Sequence, residues 1–85
     1  MTGGLHVKPG SNVVINGIDV QRCVEMAVGI CQGHAYVGPP DIAFLVAVEG
    51  AKTLKKVRTA GYSKDICRDA LWAKIIDEAQ RVKTP

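Results

Sequence analysis

The sequence is poor in aromatic residues, and this shortage limits what the protein can bind. Its 85 residues include one Trp, two Tyr and one Phe, which is too few for a base-stacking platform built on several exposed rings. It also has no run of about 18 apolar residues, so we expect no membrane-spanning helix. The first residues lack the basic and apolar segments of a secretory signal, and we expect a cytoplasmic protein.

Cysteines and catalytic motifs are also scarce. The three cysteines are an odd number and none stands close to another, which is typical of reduced thiols rather than of a disulfide framework. The chain contains no phosphate-binding glycine loop, no dinucleotide-binding glycine pattern and no zinc-protease motif. We therefore expect no enzyme activity and no cofactor.

What is present is typical of a single small globular domain. Apolar residues make up 47% of the chain and charged residues 22%, with a net charge of only +3, so the chain can fold around a core. At its N-terminal side, "LHVKPGSNVVING" alternates weakly and carries a Pro-Gly turn. This pattern predicts two short strands, near 5–8 and 12–15, joined at Pro9-Gly10.

The rest of the chain predicts three helices. Asp19 is a suitable N-cap for a first helix over about 19–33, with Gly33 as its C-cap. The sequence "VGPPD" precedes a second helix over 40–59, because proline is tolerated in the first helical turn. Gly61 and Ser63 mark a break, after which apolar residues at helical spacing predict a third helix over 64–82. The expected fold class is mainly α, a three-helix domain with a short N-terminal β-hairpin.

The second helix has a competing interpretation. The run "AFLVAV" is short and partly β-branched, as in a buried strand, and Gly50 interrupts the helical pattern. We favour a helix because "AKTLKKVRTA" continues the pattern. Its first half is apolar on all sides, which predicts burial on most sides and more apolar surface than two thin neighbours can cover. We therefore expect a homodimer.

The segment "GICQGHAYVGPP" places Cys31 and His34 three residues apart, as two metal ligands on one helical turn would be. A structural zinc needs four ligands, and Cys67 and His6 would have to come from distant segments. We expect no metal. A buried Cys31 and a His34 that satisfies the end of the first helix is the preferred interpretation.

Cys67 is the best candidate nucleophile of a Cys/His hydrolase. It lies near the start of the third helix, between Lys64 and Arg68, where a helix N-terminus and cations favour a reactive thiolate. It also begins the apolar stripe that Leu71 and Ile75 continue. A role in the core is the preferred interpretation, and we expect no catalytic residues.

Positive charge is concentrated in one segment. Residues 52–68 carry six basic residues and one acidic residue, whereas the rest of the chain has five basic and seven acidic residues. A basic end to one helix, a glycine-containing turn and a basic start to the next is a layout by which small domains meet nucleic acid. The candidate binding residues are Lys52, Lys55, Lys56, Arg58, Lys64 and Arg68.

Within this segment, "AGYSKDICRDAL" resembles the second helix of ribbon-helix-helix repressors, whose pattern its glycine, serine, arginine, alanine and leucine match. It also resembles a helix-turn-helix with Gly61 in the turn. The first resemblance implies a DNA-reading strand with a polar face upstream, which "AFLVAVE" does not offer. In the helix-turn-helix resemblance, Lys56 and Val57 occupy positions where an apolar residue and a small residue are usual. We assign no family on this basis.

Three functions remain open. The first is a nucleic-acid-binding regulator that uses the basic segment, and the second is a protein-interaction adaptor or inhibitor that docks the same segment on an acidic partner surface. The alternative to both is that the lysine-rich end of the second helix is simply exposed to solvent and has no binding function. The third function is a small-ligand binder with a pocket between dimer halves, lined by Met26, Tyr36, Phe44 and Trp72.

Overall fold

The computed structural model describes residues 13–36, 38 and 40–82. It confirms a mainly α fold of three helices with a short antiparallel hairpin on their N-terminal side. In chain order the elements are β1 (Val14–Ile15), β2 (Ile18–Asp19), α1 (Val20–Cys31), α2 (Ile42–Thr59) and α3 (Lys64–Arg81).

The hairpin turns at a different place from the one the sequence pattern predicted. The strands β1 and β2 pair in antiparallel register with Ile15 opposite Ile18. They are joined by Asn16 and Gly17, whose φ angles of 52° and 78° fit the two-residue type I′ turn that Asn-Gly favours. The predicted strand over 12–15 overlaps β1, but its partner is β2. The other predicted strand and the Pro9-Gly10 turn lie outside the described residues.

The hairpin turn also caps the last helix. The side-chain amide of Asn16 donates hydrogen bonds to the backbone oxygens of Ala79, at 2.9 Å, and Val82, at 3.2 Å. The last carbonyls of a helix have no partner within it. Asn16 therefore holds the hairpin against the C-terminal end of α3.

The predicted N-cap and glycine of α1 are confirmed. The Asp19 carboxylate accepts a hydrogen bond from the backbone N–H of Arg22. At the other end Gly33 adopts a φ of 83°, and the next N–H, that of His34, donates to the Gly29 carbonyl at 2.9 Å. This pattern is a Schellman motif, which reverses the chain direction after the helix.

The long second helix is confirmed, and the strand alternative is wrong. The Asp41 carboxylate caps α2 by accepting from the Phe44 N–H at 2.9 Å, and the helix runs through Gly50 without a break. One expectation needs correction: the first half of α2 is not buried on most sides. Ile42 and Leu45 are 50% and 57% exposed, because α1 and α3 cover only part of that half.

Two cysteines show how α1 packs on α2. The Cys23 thiol donates to the Ala43 carbonyl at 3.5 Å and the Cys31 thiol to the Ala51 carbonyl at 3.4 Å. The two contacts have the same sequence offset, so the helices run parallel. A thiol reaches a backbone oxygen of its neighbour only where the facing side chains are small, as both alanines are.

In contrast, α3 runs antiparallel to α2. Gly50 faces the side chains of Leu71 and Ile75, and Ile42 at the start of α2 lies near Val82 just after α3. Each outer helix packs more extensively on α2 than on the other. The core is centred on α2 and consists of Ile18, Val20, Cys23, Val24, Ala27, Val46, Ala47, Ala51, Leu54, Cys67, Leu71, Trp72, Ile75 and Ala79.

None of the described helices is long and apolar enough to cross a membrane.

Candidate functional site

All six basic residues of the segment 52–68 are exposed, but they lie in two places. Lys52, Lys55 and Lys56 lie on the side of α2 opposite its buried residues, and we call this side the outer lysine face. Lys52 forms an ion pair with Glu49 at 3.0 Å. Lys55 and Lys56 form no ion pair with any described residue. The outer lysine face is therefore convex, solvated and cationic.

The other three cations line a groove between α1 and α3. Its volume is about 840 Å³, which is within the usual range of ligand-binding sites. Arg58 comes from the last turn of α2, and Lys64 and Arg68 come from the first turns of α3. Apolar side chains from all three helices line the groove beside them: Val24, Val28, Leu54, Leu71 and Trp72.

Acidic side chains do not balance these cations. Asp65 lines the groove too and forms an ion pair with Arg68 at 3.3 Å. Arg58 and Lys64 form no ion pair with any residue that the structure describes. The groove thus keeps a net positive charge at the end where α2 turns into α3.

The turn from α2 to α3 has a fixed geometry. Gly61 has a φ of 87°, and the Tyr62 N–H donates to the Val57 carbonyl at 3.2 Å in a second Schellman motif. The Ser63 hydroxyl then caps α3 by accepting from the Ile66 N–H. These contacts fix the positions of the two basic residues that flank the turn, and they leave the Tyr62 ring 56% exposed at the groove.

The arrangement of α2 and α3 differs from that of a helix-turn-helix motif. The two helices of that motif cross at about 90–120°, whereas α2 and α3 pack antiparallel from the Gly61 turn to their far ends. The buried side of α3 is covered by α2 along its length. The basic residues of α3 therefore face a groove within the protein and do not extend from a separate recognition helix.

The residues considered as metal ligands are not brought together in the described part of the chain. The Cys31 thiol is half-buried and directed at the Ala51 carbonyl, whereas the His34 side chain is exposed. No group of three or more His, Cys, Asp or Glu residues in the described part of the chain is suited to hold a metal ion. His6, the other ligand considered, lies outside the described residues.

Two of the three cysteines, Cys23 and Cys67, lie in the core, as the preferred interpretation predicted for Cys67. The Cys67 side chain is buried and lies 3.6 Å from the Tyr62 carbonyl, to which it donates. Cys23 is fully buried, and this burial raises the pKa of its thiol from 9.0 to about 11, with the positive charge of Arg22 opposing the change. A thiol with a raised pKa is a poor nucleophile at neutral pH.

The four residues of the predicted ligand pocket do not line one cavity. Trp72 lines the groove, but the other three are not among its lining residues. Tyr36 and Phe44 stack with ring centroids 4.4 Å apart, and Met26 packs half-buried against the core. Met26 therefore has a packing role, and of the four residues only Trp72 lines the groove.

A second apolar surface lies at the other end of α2. Ile42 and Leu45 border a depression of about 430 Å³ together with Val82. Glu78 and Arg81 of α3 also line it, so this surface offers charges of both signs. We call it the α2 start surface.

Comparisons of the chain with protein-family models, curated proteins and solved structures found no match.

Sequence reasoning found the cations of the groove but missed its apolar lining. Val24 and Val28 have the helical spacing of core residues, and Tyr62 stands in a turn. Nothing in their spacing indicates that they lie beside Arg58. That proximity arises because α1 and α3 both pack on α2 and leave a channel between them.

Proposed function

We propose that the protein is a small non-enzymatic binding module that docks on an acidic protein partner. The observation that carries this proposal is the groove at the turn from α2 to α3, where three exposed cations stand beside the half-exposed Tyr62 and a floor of apolar side chains that belong largely to the core. Protein surfaces present apolar and acidic side chains together, whereas a nucleic-acid backbone presents phosphates and sugars. The mixed lining of the groove therefore favours a protein over a nucleic acid.

A nucleic-acid-binding regulator is the second candidate. The observation that favours it is the outer lysine face, where Lys55 and Lys56 are exposed and form no ion pair with any described residue. Cations of this kind neutralise phosphates without regard to sequence. The antiparallel packing of α2 and α3 makes this candidate the weaker of the two, since Lys64 and Arg68 of α3 line the groove and do not extend from a separate recognition helix.

The two candidate functions predict binding to different polyanions at moderate salt. The acidic-protein binder should bind poly-L-glutamate, and the regulator should bind nucleic acid. We would titrate the protein with poly-L-glutamate and, separately, with a mixture of short DNA and RNA, at low ionic strength and at about 0.15 M, where exposed charges are well screened. An acidic-protein binder retains polyglutamate at the higher salt and loses the nucleic acids. Retention of nucleic acid with loss of polyglutamate would support the regulator instead.

We also propose that the protein forms a homodimer through the α2 start surface. Exposed Ile42 and Leu45 provide the apolar centre, and Glu78 can meet Arg81 of a second copy across a two-fold axis. Leu45→Glu should give a monomer in sedimentation equilibrium at concentrations where the parent protein is a dimer. Ile66→Glu is the matched control, because Ile66 is 50% exposed but lies outside this surface. A monomeric parent protein at high concentration would disprove the dimer.

A cytoplasmic location is part of the same proposal. All three cysteines are free thiols, which supports a reducing compartment.

A further inference from the structure

We infer that the acidic partner presents a phosphorylated side chain to the groove, which binds it as a phosphate monoester. This inference rests on the proposed function and specifies the chemical group that the partner carries. The charge of the groove, the type of cation that lines it and the chemistry left accessible there all favour this group over a carboxylate.

The accessible side chains of the groove are mainly charged. The apolar side chains of its floor belong to the core, and Leu54, Leu71 and Trp72 are only 3%, 2% and 4% exposed. By contrast, the Arg68 and Asp65 side chains are 55% and 84% exposed. A partner that enters the groove therefore meets cationic groups and one half-exposed tyrosine ring rather than apolar surface.

The charge of the groove matches one phosphate monoester. Arg58, Lys64 and Arg68 line it together with a single carboxylate, that of Asp65, which leaves a net charge of +2 among its lining residues. A phosphorylated side chain carries a charge of about −1.5 to −2 at neutral pH, whereas a glutamate carries a single negative charge. One phosphate therefore neutralises the groove, and one carboxylate leaves half of its charge without a counterion.

The arginines of the basic segment lie at the groove and not on the outer lysine face. Arg58 and Arg68 both line the groove, whereas the outer lysine face consists of lysines alone. A guanidinium presents a planar set of N–H donors that can bind two oxygens of one phosphate, whereas an ammonium acts as a point charge. The fold thus places the cations best suited to phosphate in the groove.

The three cations are placed to reach one anion. Lys64 and Arg68 are four residues apart on α3, so their side chains are neighbours on one side of this helix. Arg58 lies across the turn, and its carbonyl accepts a hydrogen bond from the Gly61 N–H at 3.0 Å. This turn keeps Arg58 close to the start of α3, where the long side chains of all three residues can bind the same phosphate.

Nucleic acids also carry phosphate, but in a different form. Each backbone phosphate is a diester with a single charge, and successive phosphates follow one another along the strand. A phosphorylated side chain instead concentrates its charge on three terminal oxygens. The cations of the groove are gathered at one end of the molecule, which favours the compact monoester.

Three peptides of otherwise identical glycine and serine sequence test the inference. One carries a single phosphoserine, and the others carry a glutamate or an unmodified serine at the same position. We would titrate the labelled protein with each peptide and follow its backbone amide resonances by NMR at about 0.15 M salt. We expect the phosphopeptide to bind about ten-fold more tightly than the glutamate peptide, through its added charge and hydrogen bonds. The serine peptide should not bind.

Asp65→Asn and Asp69→Asn form a matched pair of variants. Asp65 lines the groove and forms an ion pair with Arg68 at 3.3 Å, so it competes with the phosphate for this guanidinium. Asp69 is exposed and does not line the groove. Asp65→Asn should bind the phosphopeptide several-fold more tightly than the parent protein, and Asp69→Asn should bind it as the parent does. Equal affinities of the two variants, both shown to fold by circular dichroism, would overturn the inference.

The outcomes separate this inference from the proposed function. If the phosphopeptide binds no more tightly than the glutamate peptide while poly-L-glutamate is still retained at moderate salt, the inference is wrong and the proposed function survives. If the protein binds neither the peptides nor poly-L-glutamate, both are wrong. Inorganic phosphate that binds as tightly as the phosphopeptide, or short DNA that binds more tightly, would overturn a phosphorylated protein as the partner.

Discussion

At the scale of single residues, Gly50 allows the close packing of α2 on α3. A Cβ at this position would collide with the Cδ1 atom of Ile75 and lie 3.0 Å from that of Leu71. Ile75 is fully buried and Leu71 nearly so, so neither side chain can move away freely. The glycine that weakened the helical pattern in the sequence is thus explained by packing.

Gly50→Ala should lower the free energy of unfolding by about 1 kcal/mol, because the cost of overpacking exceeds the gain in helix propensity. Gly29→Ala is the matched control, since a Cβ there meets only His34 atoms at 3.7 and 3.8 Å, which is ordinary contact. It should raise the free energy of unfolding by about 0.5 kcal/mol. Urea denaturation of both variants checks this, and a stabilised Gly50→Ala would show that the contact is relieved.

Because the Cys23 thiol is buried, the free energy of unfolding should fall in alkaline solution. Its thiol has a pKa of about 11 in the folded protein against 9.0 ordinarily, so the unfolded chain loses this proton first. The stabilisation is fully present below pH 9 and is lost as the pH rises towards 11. The slope is at most about 1.4 kcal/mol per pH unit.

The measurement is urea denaturation of the parent protein and of Cys23→Ala between those pH values. Cys23→Ala should lose less stability over this range than the parent, because it lacks the titrating thiol. Parallel curves for the two proteins would mean that the Cys23 thiol does not titrate differently in the two states.

At the scale of elements, the sequence predicted the helices well because their ends carry local signals. Asp19, Asp41 and Ser63 each accept a backbone N–H as N-caps do. The turn at Asn16-Gly17 was missed, because Pro9-Gly10 and Asn16-Gly17 are both turn signals in the sequence; the predicted turn at Pro9-Gly10 lies outside the described residues. The groove was not predictable, because the spacing of Val24 and Val28 is the same for a core position and for a groove wall.

Asn16 should stabilise the end of α3 as well as the hairpin turn. Asn16→Gly retains the positive φ but removes the two hydrogen bonds to Ala79 and Val82, which should cost about 1 kcal/mol. Amide exchange should become faster in the last turn of α3, with little change in its first turns. Asn16→Asp also removes the donor and should behave in the same way. Unchanged exchange in both variants would show that the cap contributes nothing.

At the scale of the whole molecule, the fold divides a single basic segment into two surfaces of different character. Lys52, Lys55 and Lys56 lie on the side of α2 opposite its buried residues, whereas the other three cations border the groove. In the sequence these six residues form one cluster, and only the antiparallel return of α3 separates them. We therefore propose that binding of an acidic partner depends on the groove and not on the total charge.

Two charge-reversal variants test that assignment most directly. One replaces Arg58, Lys64 and Arg68 by Glu, and the other replaces Lys52, Lys55 and Lys56 by Glu, so both undergo the same change in net charge. Binding of poly-L-glutamate is measured for each by titration calorimetry at about 0.15 M salt, after circular dichroism has shown that both fold. We predict that the groove variant loses binding, because its three cations line one groove, and that the outer-face variant binds within about three-fold of the parent protein, because its lysines lie on another side of α2. Equal losses in the two variants, or a larger loss from the outer lysine face, would contradict the account.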